Sequence, residues 1–145
     1  MAQLEPWNPH RVVAERIKEL RKSRGWSAQT LAEAMTRVGI PWDRSVVAKF
    51  ENGRRATVSL EEVFALAYVL DVAPVNLMTS TDLGAPPHGV VSGVVASADD
   101  VREWIRGRKP LGDQDVDTYF SKVAGNDFGF IYDALKRARG QDGER

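Results

Sequence analysis

The chain has 145 residues, of which 43% are hydrophobic and 28% charged, and its formal net charge is zero. It contains no cysteine, which excludes disulfide scaffolds, thiolate zinc sites, iron–sulfur clusters and cysteine nucleophiles. No apolar run approaches the roughly 20 residues that a membrane-spanning helix needs, and residues 1–10 lack the apolar segment of a signal peptide. Length and composition therefore predict a soluble, cytoplasmic protein with one compact domain, or one small domain plus an appendage.

The charges are distributed unevenly along the chain. Residues 11–55 carry eleven lysines and arginines against five acidic residues, a net charge of +6. Residues 56–145 carry nine basic and fourteen acidic residues, a net charge of −5. A basic segment joined to an acidic one indicates a polyanion-binding part followed by a part with another role. Ordinary solvated helix faces are the alternative explanation of this pattern.

Two helices are predicted at the start of the chain. Asn8 is a good N-cap and Pro9 suits a first helical position, so the first helix begins there, and Gly25 ends it. Ser27 is the expected cap of the second helix. The apolar residues expected to face the core recur at helical spacing, and they are Val13, Ile17, Leu20, Leu31, Ala32 and Met35.

A third, short helix is predicted between Asp43 and Asn52. Asp43 is a good N-cap, and Asn52-Gly53 tolerates the left-handed backbone conformation that commonly ends a helix. Val47 and Phe50 are the side chains of this segment expected in the core.

A capping box predicts where the fourth helix starts. Ser59 and Glu62 have the spacing at which each side chain accepts a hydrogen bond from the other's backbone N–H. A brief fifth helix is expected near Pro74. The side chains of the fourth helix expected in the core are Leu60, Val63, Phe64, Ala67 and Leu70.

The composition changes after residue 78. Residues 79–97 hold three glycines, two prolines and one charge, which predicts a linker with a short strand at 90–95. Residues 98–145 hold six of the twelve aromatic residues and are predicted to be helical. We interpret this region as a small core that mediates dimerisation or partner binding, with a ligand-sensing pocket as the alternative. Its expected apolar positions are Val101, Trp104, Ile105, Val116, Phe120, Val123, Phe128, Ile131, Tyr132 and Leu135.

Motifs of catalytic chemistry are absent from the sequence. It has no G-x-S-x-G, no H-E-x-x-H and no P-loop. His10 and His88 stand alone and are interpreted as solvated surface residues rather than metal ligands or general bases. We therefore expect that the protein is not an enzyme and that it has no metal and no cofactor.

Three blocks of sequence carry a resemblance to a known family. RIKELRKSRGWSAQTLAEAM, SVVAKFENGRR and SLEEVFALAYVLDVAPVNLM resemble, in this order, the lambda-repressor-like XRE (Cro/CI) family of DNA-binding domains, over residues 9–78. The resemblance implies an all-α protein with a five-helix, helix-turn-helix DNA-binding domain in residues 1–78. A linker at 79–97 and a small helical C-terminal region at 98–145 would follow it.

The resemblance also implies roles for particular residues. Residues 43–52 would be the recognition helix in the major groove, and its base contacts would come from Arg44, Ser45 and Lys49. The arginine fork can bond guanine O6 and N7 together, and lysine does so less rigidly. The implied phosphate contacts are Ser27, Ala28, Gln29, Asn52, Arg54 and Arg55.

The same resemblance implies structural roles for further residues. Arg21 and Glu51 stand where the family often has a salt bridge, and Trp26 stands at a core position. The sequence departs from the family pattern at Ala28, where glutamine is common, and in residues 36–42, which form a longer turn than usual. Trp42 is expected to pack over this turn, with contact to the DNA backbone as the alternative.

The function implied is a sequence-specific, double-stranded DNA-binding transcription regulator that acts as a homodimer. The alternative is an antitoxin-like module that docks a protein partner, with or without binding to its own operator.

Overall fold

The computed structural model describes residues 5–122 together with residues 137 and 139. The chain divides into two compact units, Met1–Arg102 and Glu103–Arg145. The helices are α1 (Pro9–Ser23), α2 (Ala28–Arg37), α3 (Arg44–Glu51), α4 (Leu60–Val69), α5 (Val75–Met78), α6 (Ala98–Ile105) and α7 (Val116–Ser121), and the strands are β1 (His88–Val91) and β2 (Val94–Ala96). None of the helices in the described part is long and apolar enough to cross a membrane.

The predicted caps of the first four helices are confirmed. The side chains of Asn8, Ser27, Asp43 and Ser59 each accept a hydrogen bond from the backbone N–H three residues further on, at 2.8–3.1 Å. Glu62 completes the capping box by accepting the backbone N–H of Ser59. These bonds satisfy N–H groups that have no partner within their own helix, and they fix where each helix begins.

Helices α1 to α5 enclose one hydrophobic core in the first unit. Its buried residues are Val13, Ala14, Ile17, Leu31, Ala32, Met35, Ile40, Trp42, Val47, Phe50, Val63, Leu66, Ala67, Leu70 and Leu77. Trp26, expected in the core, is partly buried at its edge. The predictions for Val47 and Phe50 are confirmed, since neither side chain is exposed to solvent.

The prediction that Leu60 and Phe64 lie in the core is wrong. Leu60 is 68% exposed, Phe64 is 53% exposed and Tyr68 is 76% exposed. Residues four apart share a helix face, so these three side chains form one apolar stripe on the surface of α4. The helix is apolar over most of its circumference, and periodicity alone therefore does not identify the side that packs inward.

The all-α expectation is corrected by a two-stranded antiparallel hairpin in residues 88–96. Valines favour the strands, and Gly93 adopts the positive φ of +80° that the tight turn between them requires. The predicted strand at 90–95 thus corresponds to two short strands. The backbone of Trp7 pairs with this hairpin, donating to the Pro87 carbonyl (3.0 Å) and accepting from Gly89 N–H (2.9 Å).

Neither histidine lies in the solvated position predicted for it. His88 is only 2% exposed, and its Nε2 accepts a hydrogen bond from the Ser80 backbone N–H at 3.0 Å. Burial lowers the pKa of His88 below its ordinary value. His10 is partly buried, with its ring centroid 4.9 Å from that of Phe50. Sequence reasoning missed both because their surroundings come from residues distant along the chain.

Ser97, near the end of the first unit, caps α6 through the Asp100 backbone N–H, as predicted. The second unit is described in part. The hydroxyl of Tyr119 donates to the Trp104 carbonyl (2.7 Å), and Phe120 is buried with its ring edge-on to Tyr119. The predicted apolar positions from Val123 to Leu135 lie outside the described residues. The proposed boundaries at 78 and 97 stay a prediction.

Candidate nucleic-acid interface

The candidate interface is centred on the start of α3. Asp43 accepts the Val46 backbone N–H (2.9 Å) and the Ser45 hydroxyl (2.7 Å). The hydrogen bond from Ser45, followed by that from Val46, lowers the pKa of the exposed Asp43 carboxyl. The Asp43 carboxylate therefore caps the first turn of α3, and the Ser45 hydroxyl is partly committed to this cap.

The two sides of α3 differ sharply in exposure. Val47 and Phe50 point into the core, whereas Arg44, Ser45 and Lys49 are exposed. Positions 45 and 49 are one helical turn apart and 44 adjoins 45, so the three predicted base-contact residues share the outer face of the helix. An eight-residue helix is about 12 Å long, a size that the major groove of DNA admits.

The C-terminal end of α3 is held against α1 by the predicted salt bridge. Arg21 donates from Nε to Glu51 Oε1 (2.6 Å) and from Nη2 to Glu51 Oε2 (2.9 Å). Its remaining nitrogen, Nη1, donates to the Trp26 carbonyl (2.7 Å). The two side chains are only 12% and 11% exposed, and the hydrogen bond to Glu51 raises the pKa of Arg21. The structural role predicted for this pair is confirmed.

The long turn between α2 and α3 is anchored from within. Ile40 and Trp42 are 9% and 7% exposed, so both side chains pack into the core. The Thr36 hydroxyl donates to the Trp42 carbonyl (3.1 Å), and the Ile40 backbone N–H donates to the Met35 carbonyl (3.0 Å). Trp42 therefore packs under the turn, as predicted, and its side chain is not available to DNA.

The predicted phosphate-contact residues after α3 divide into two kinds. Asn52 and Arg54 are exposed, and the Asn52 side chain accepts the Arg54 backbone N–H at 3.2 Å. Arg55 instead directs its guanidinium to the carboxylate of Glu62, with Nη2 3.0 Å from Oε1 and Nη1 bonded to Oε2. The sequence predicted a capping role for Glu62 but not its ion pair with Arg55. The predicted DNA contacts of these residues stay predictions.

The start of α2 offers the remaining predicted phosphate contacts. Ser27 accepts the Thr30 backbone N–H (3.1 Å), Ala28 is the first helical residue, and the exposed Gln29 donates its amide to Glu33 (3.1 Å). Backbone N–H groups at a helix start carry a partial positive charge that favours a phosphate. No cluster of histidine and acidic side chains able to hold a metal ion occurs in the described part of the chain.

Part of the chain matches a known family model. The family model described as a helix-turn-helix domain matches residues 12–78. Residues 12–78 therefore form a helix-turn-helix domain. Residues 38–43 connect α2 and α3, the two helices to which the resemblance assigns the helix-turn-helix motif.

Two solved structures are similar to the chain. The restriction-modification controller protein C.AhdI from Aeromonas hydrophila is 37% identical over 47% of this chain and 94% of that chain, with a TM-score of 0.41. The hypothetical transcription factor NHTF from Neisseria is 23% identical over 56% of this chain and 86% of that chain, with a TM-score of 0.46. No curated protein matches the chain.

Proposed function

We propose that this helix-turn-helix protein is a transcription regulator that binds double-stranded DNA sequence-specifically, with α3 in the major groove. The observation that carries the proposal is the outer face of α3. This face presents Arg44 and Lys49 to solvent, the opposite side of the helix is buried, and Glu51 at the C-terminal end of α3 is paired with Arg21 of α1. A helix with one face anchored in the core and an exposed cationic outer face suits base reading, because the core holds its backbone while its outer side chains can reach base edges.

The surroundings of α3 support contacts with the DNA backbone. Residues 11–55 carry a net charge of +6, which attracts a polyanion. Exposed Arg54 follows α3, and the start of α2 directs backbone N–H groups outward from Ser27. Phosphate contacts of this kind set the orientation of a protein on the duplex, whereas contacts with base edges select the sequence. The proposal assigns no catalytic activity to the chain.

Selection of bound sequences from a random pool of duplex DNA tests this function. We expect enrichment of one motif with two-fold symmetry, because a homodimer presents two copies of α3 to paired half-sites. Absence of any enriched sequence would contradict the proposal and favour the antitoxin-like alternative, in which the same fold docks a protein.

Replacement of Arg44 by alanine is expected to relax specificity. The variant should lose about 1–3 kcal/mol of discrimination at one base pair, since the arginine fork would no longer distinguish its base from the others. Binding titrations with the selected site and with single-base variants of that site measure the loss at each position.

Replacement of Arg54 by alanine is the matched control for the Arg44 variant. It removes the same charge from a neighbouring exposed position, and we expect it to weaken binding to all sequences alike. It should also reduce the slope of log affinity against log salt by about one, because fewer counterions are released. Equal losses on selected and random DNA for both variants would refute the assignment of Arg44 to a base.

We also propose that the protein forms a homodimer through the stripe of Leu60, Phe64 and Tyr68 on α4. A contiguous group of large, exposed apolar side chains is typical of a contact surface. The stripe is centred on Phe64, so two copies related by a two-fold axis can pair Phe64 with itself and Leu60 with Tyr68 of the second copy. Dimerisation through residues 98–145 stays the sequence-based alternative.

A charge placed in the α4 stripe shows whether the dimer forms through this stripe or through residues 98–145. We expect Phe64→Arg to convert the dimer to a monomer in sedimentation experiments, because a buried unpaired charge opposes association. Val95→Arg is the control, since Val95 is also 53% exposed but lies on the hairpin. A dimer that survives Phe64→Arg would favour the C-terminal region, and a wild-type monomer would refute dimerisation.

A further inference from the structure

Glu62 links α4 to both flanks of α3. Its side chain is largely buried, with 12% exposed, and its carboxylate accepts hydrogen bonds from three residues. The Trp42 indole donates from Nε1 to Oε2 (3.1 Å), and Arg55 donates to both oxygens. The Ser59 backbone N–H donates to Oε1 at 3.3 Å. A capping glutamate needs only the last of these bonds, so the other contacts call for a separate explanation.

The partners of Glu62 stand on either side of the recognition helix. Trp42 directly precedes the N-cap Asp43, and Arg55 follows soon after the last helical residue, Glu51. The Arg55 guanidinium also lies 5.3 Å from the centroid of the Trp42 ring. One carboxylate therefore ties together the segment that enters α3 and the segment that leaves it.

We propose that Glu62 is a positioning residue that fixes the orientation of α3 for reading DNA. This inference rests on the proposed function for its DNA-reading role, while the tethering of α3 can be tested without DNA. The long turn at residues 38–43 makes such a tether useful, because extra residues give the start of a helix more freedom than a tight turn does. Trp42 and Arg55 remove that freedom by binding a common acceptor on α4.

The chemistry of the site is consistent with an ionised carboxylate. Burial alone would raise the pKa of Glu62, but hydrogen bonds from Arg55 and Ser59 and the charge of Arg55 outweigh it and lower that pKa. Glu62 is thus charged near neutral pH. An ionised carboxylate accepts hydrogen bonds and donates none, which suits its three donor residues.

Hydrogen exchange of Glu62→Gln tests the tether in the full-length protein. Glutamine keeps the shape of the side chain but removes its charge and one of its two acceptor oxygens. We expect the backbone amides of α3 to exchange about tenfold faster relative to those of α1, because charge-assisted bonds at both flanks are weakened. Glu61→Gln is the matched control, since it removes the same charge from the exposed neighbouring position on α4. Equal changes in α1 and α3, or no change beyond that of the control, would overturn the proposal.

The same variants test the consequence for DNA binding. We expect Glu62→Gln to reduce the ratio of affinities for selected and random DNA about tenfold, the scale of one mismatched base pair. Random-sequence affinity should change no more than in the Glu61→Gln control, which loses the same charge from α4. An unchanged ratio with faster exchange in α3 would refute the role in reading DNA. If the wild-type protein selects no sequence, the proposed function fails, and the exchange measurement still decides whether Glu62 positions α3.

Discussion

Replacement of Arg21 by alanine is expected to lower the free energy of unfolding by about 3–5 kcal/mol, as is usual when one partner of a buried ion pair is removed. The substitution leaves the Glu51 carboxylate largely buried without the two hydrogen bonds that Arg21 donates to it. It also removes the donor to the Trp26 carbonyl, at the junction of α1 and α2. Urea denaturation followed by circular dichroism measures the loss.

Two comparisons show whether this loss comes from the buried pair. Arg24→Ala removes an arginine whose side chain is 35% exposed and pairs with Asp71, and it should cost no more than about 1 kcal/mol. The double replacement of Arg21 and Glu51 by alanine should cost less than the sum of the two single changes, because no unpaired charge remains. A strictly additive double mutant would contradict the interpretation.

Replacement of Phe50 by alanine is expected to cost about 3–5 kcal/mol, the range for removing a fully buried aromatic ring. Phe50 is not exposed at all, and its ring lies 5.8 Å from that of Trp42 and 4.9 Å from that of His10. The cavity would open directly beneath the outer face of α3, so DNA binding should fall together with stability. Thermal unfolding and DNA titration of one preparation measure both effects.

Leu83→Ala is the control for the cavity variant, because Leu83 is fully exposed and its truncation leaves no void. We expect its unfolding midpoint to stay close to that of the wild type, as for most surface substitutions. If the two variants were equally stable, the position of Phe50 at the centre of the core would be wrong.

The elements that sequence predicts well are those set by neighbouring residues. Asn8, Ser27, Asp43 and Ser59 cap the helices they were expected to cap, because each acts on a backbone N–H three residues away. The family resemblance is confirmed at the level of a helix-turn-helix domain. The pairing of Arg21 with Glu51 followed from that resemblance and not from any local pattern.

The features that sequence reasoning missed depend on distant contacts. Phe64 lies outside because the inward face of α4 is the one that carries Val63, Leu66 and Ala67. His88 is buried because β1 pairs with the backbone of Trp7, more than eighty residues earlier in the chain. Glu62 was recognised as a cap, but no pattern within α4 could indicate that Trp42 and Arg55 would reach the same carboxylate.

The backbone pairing of Trp7 with the hairpin has a practical consequence for dissecting the protein. The family match ends at residue 78, yet the compact unit continues to Arg102, and Thr79, Ser80 and His88 beyond the match are buried. A fragment truncated after Met78 would leave Trp7 without its strand partner. It would also expose the side of α1 that contacts Thr81 and β1. A stable isolated form of the first unit should therefore extend at least through Arg102.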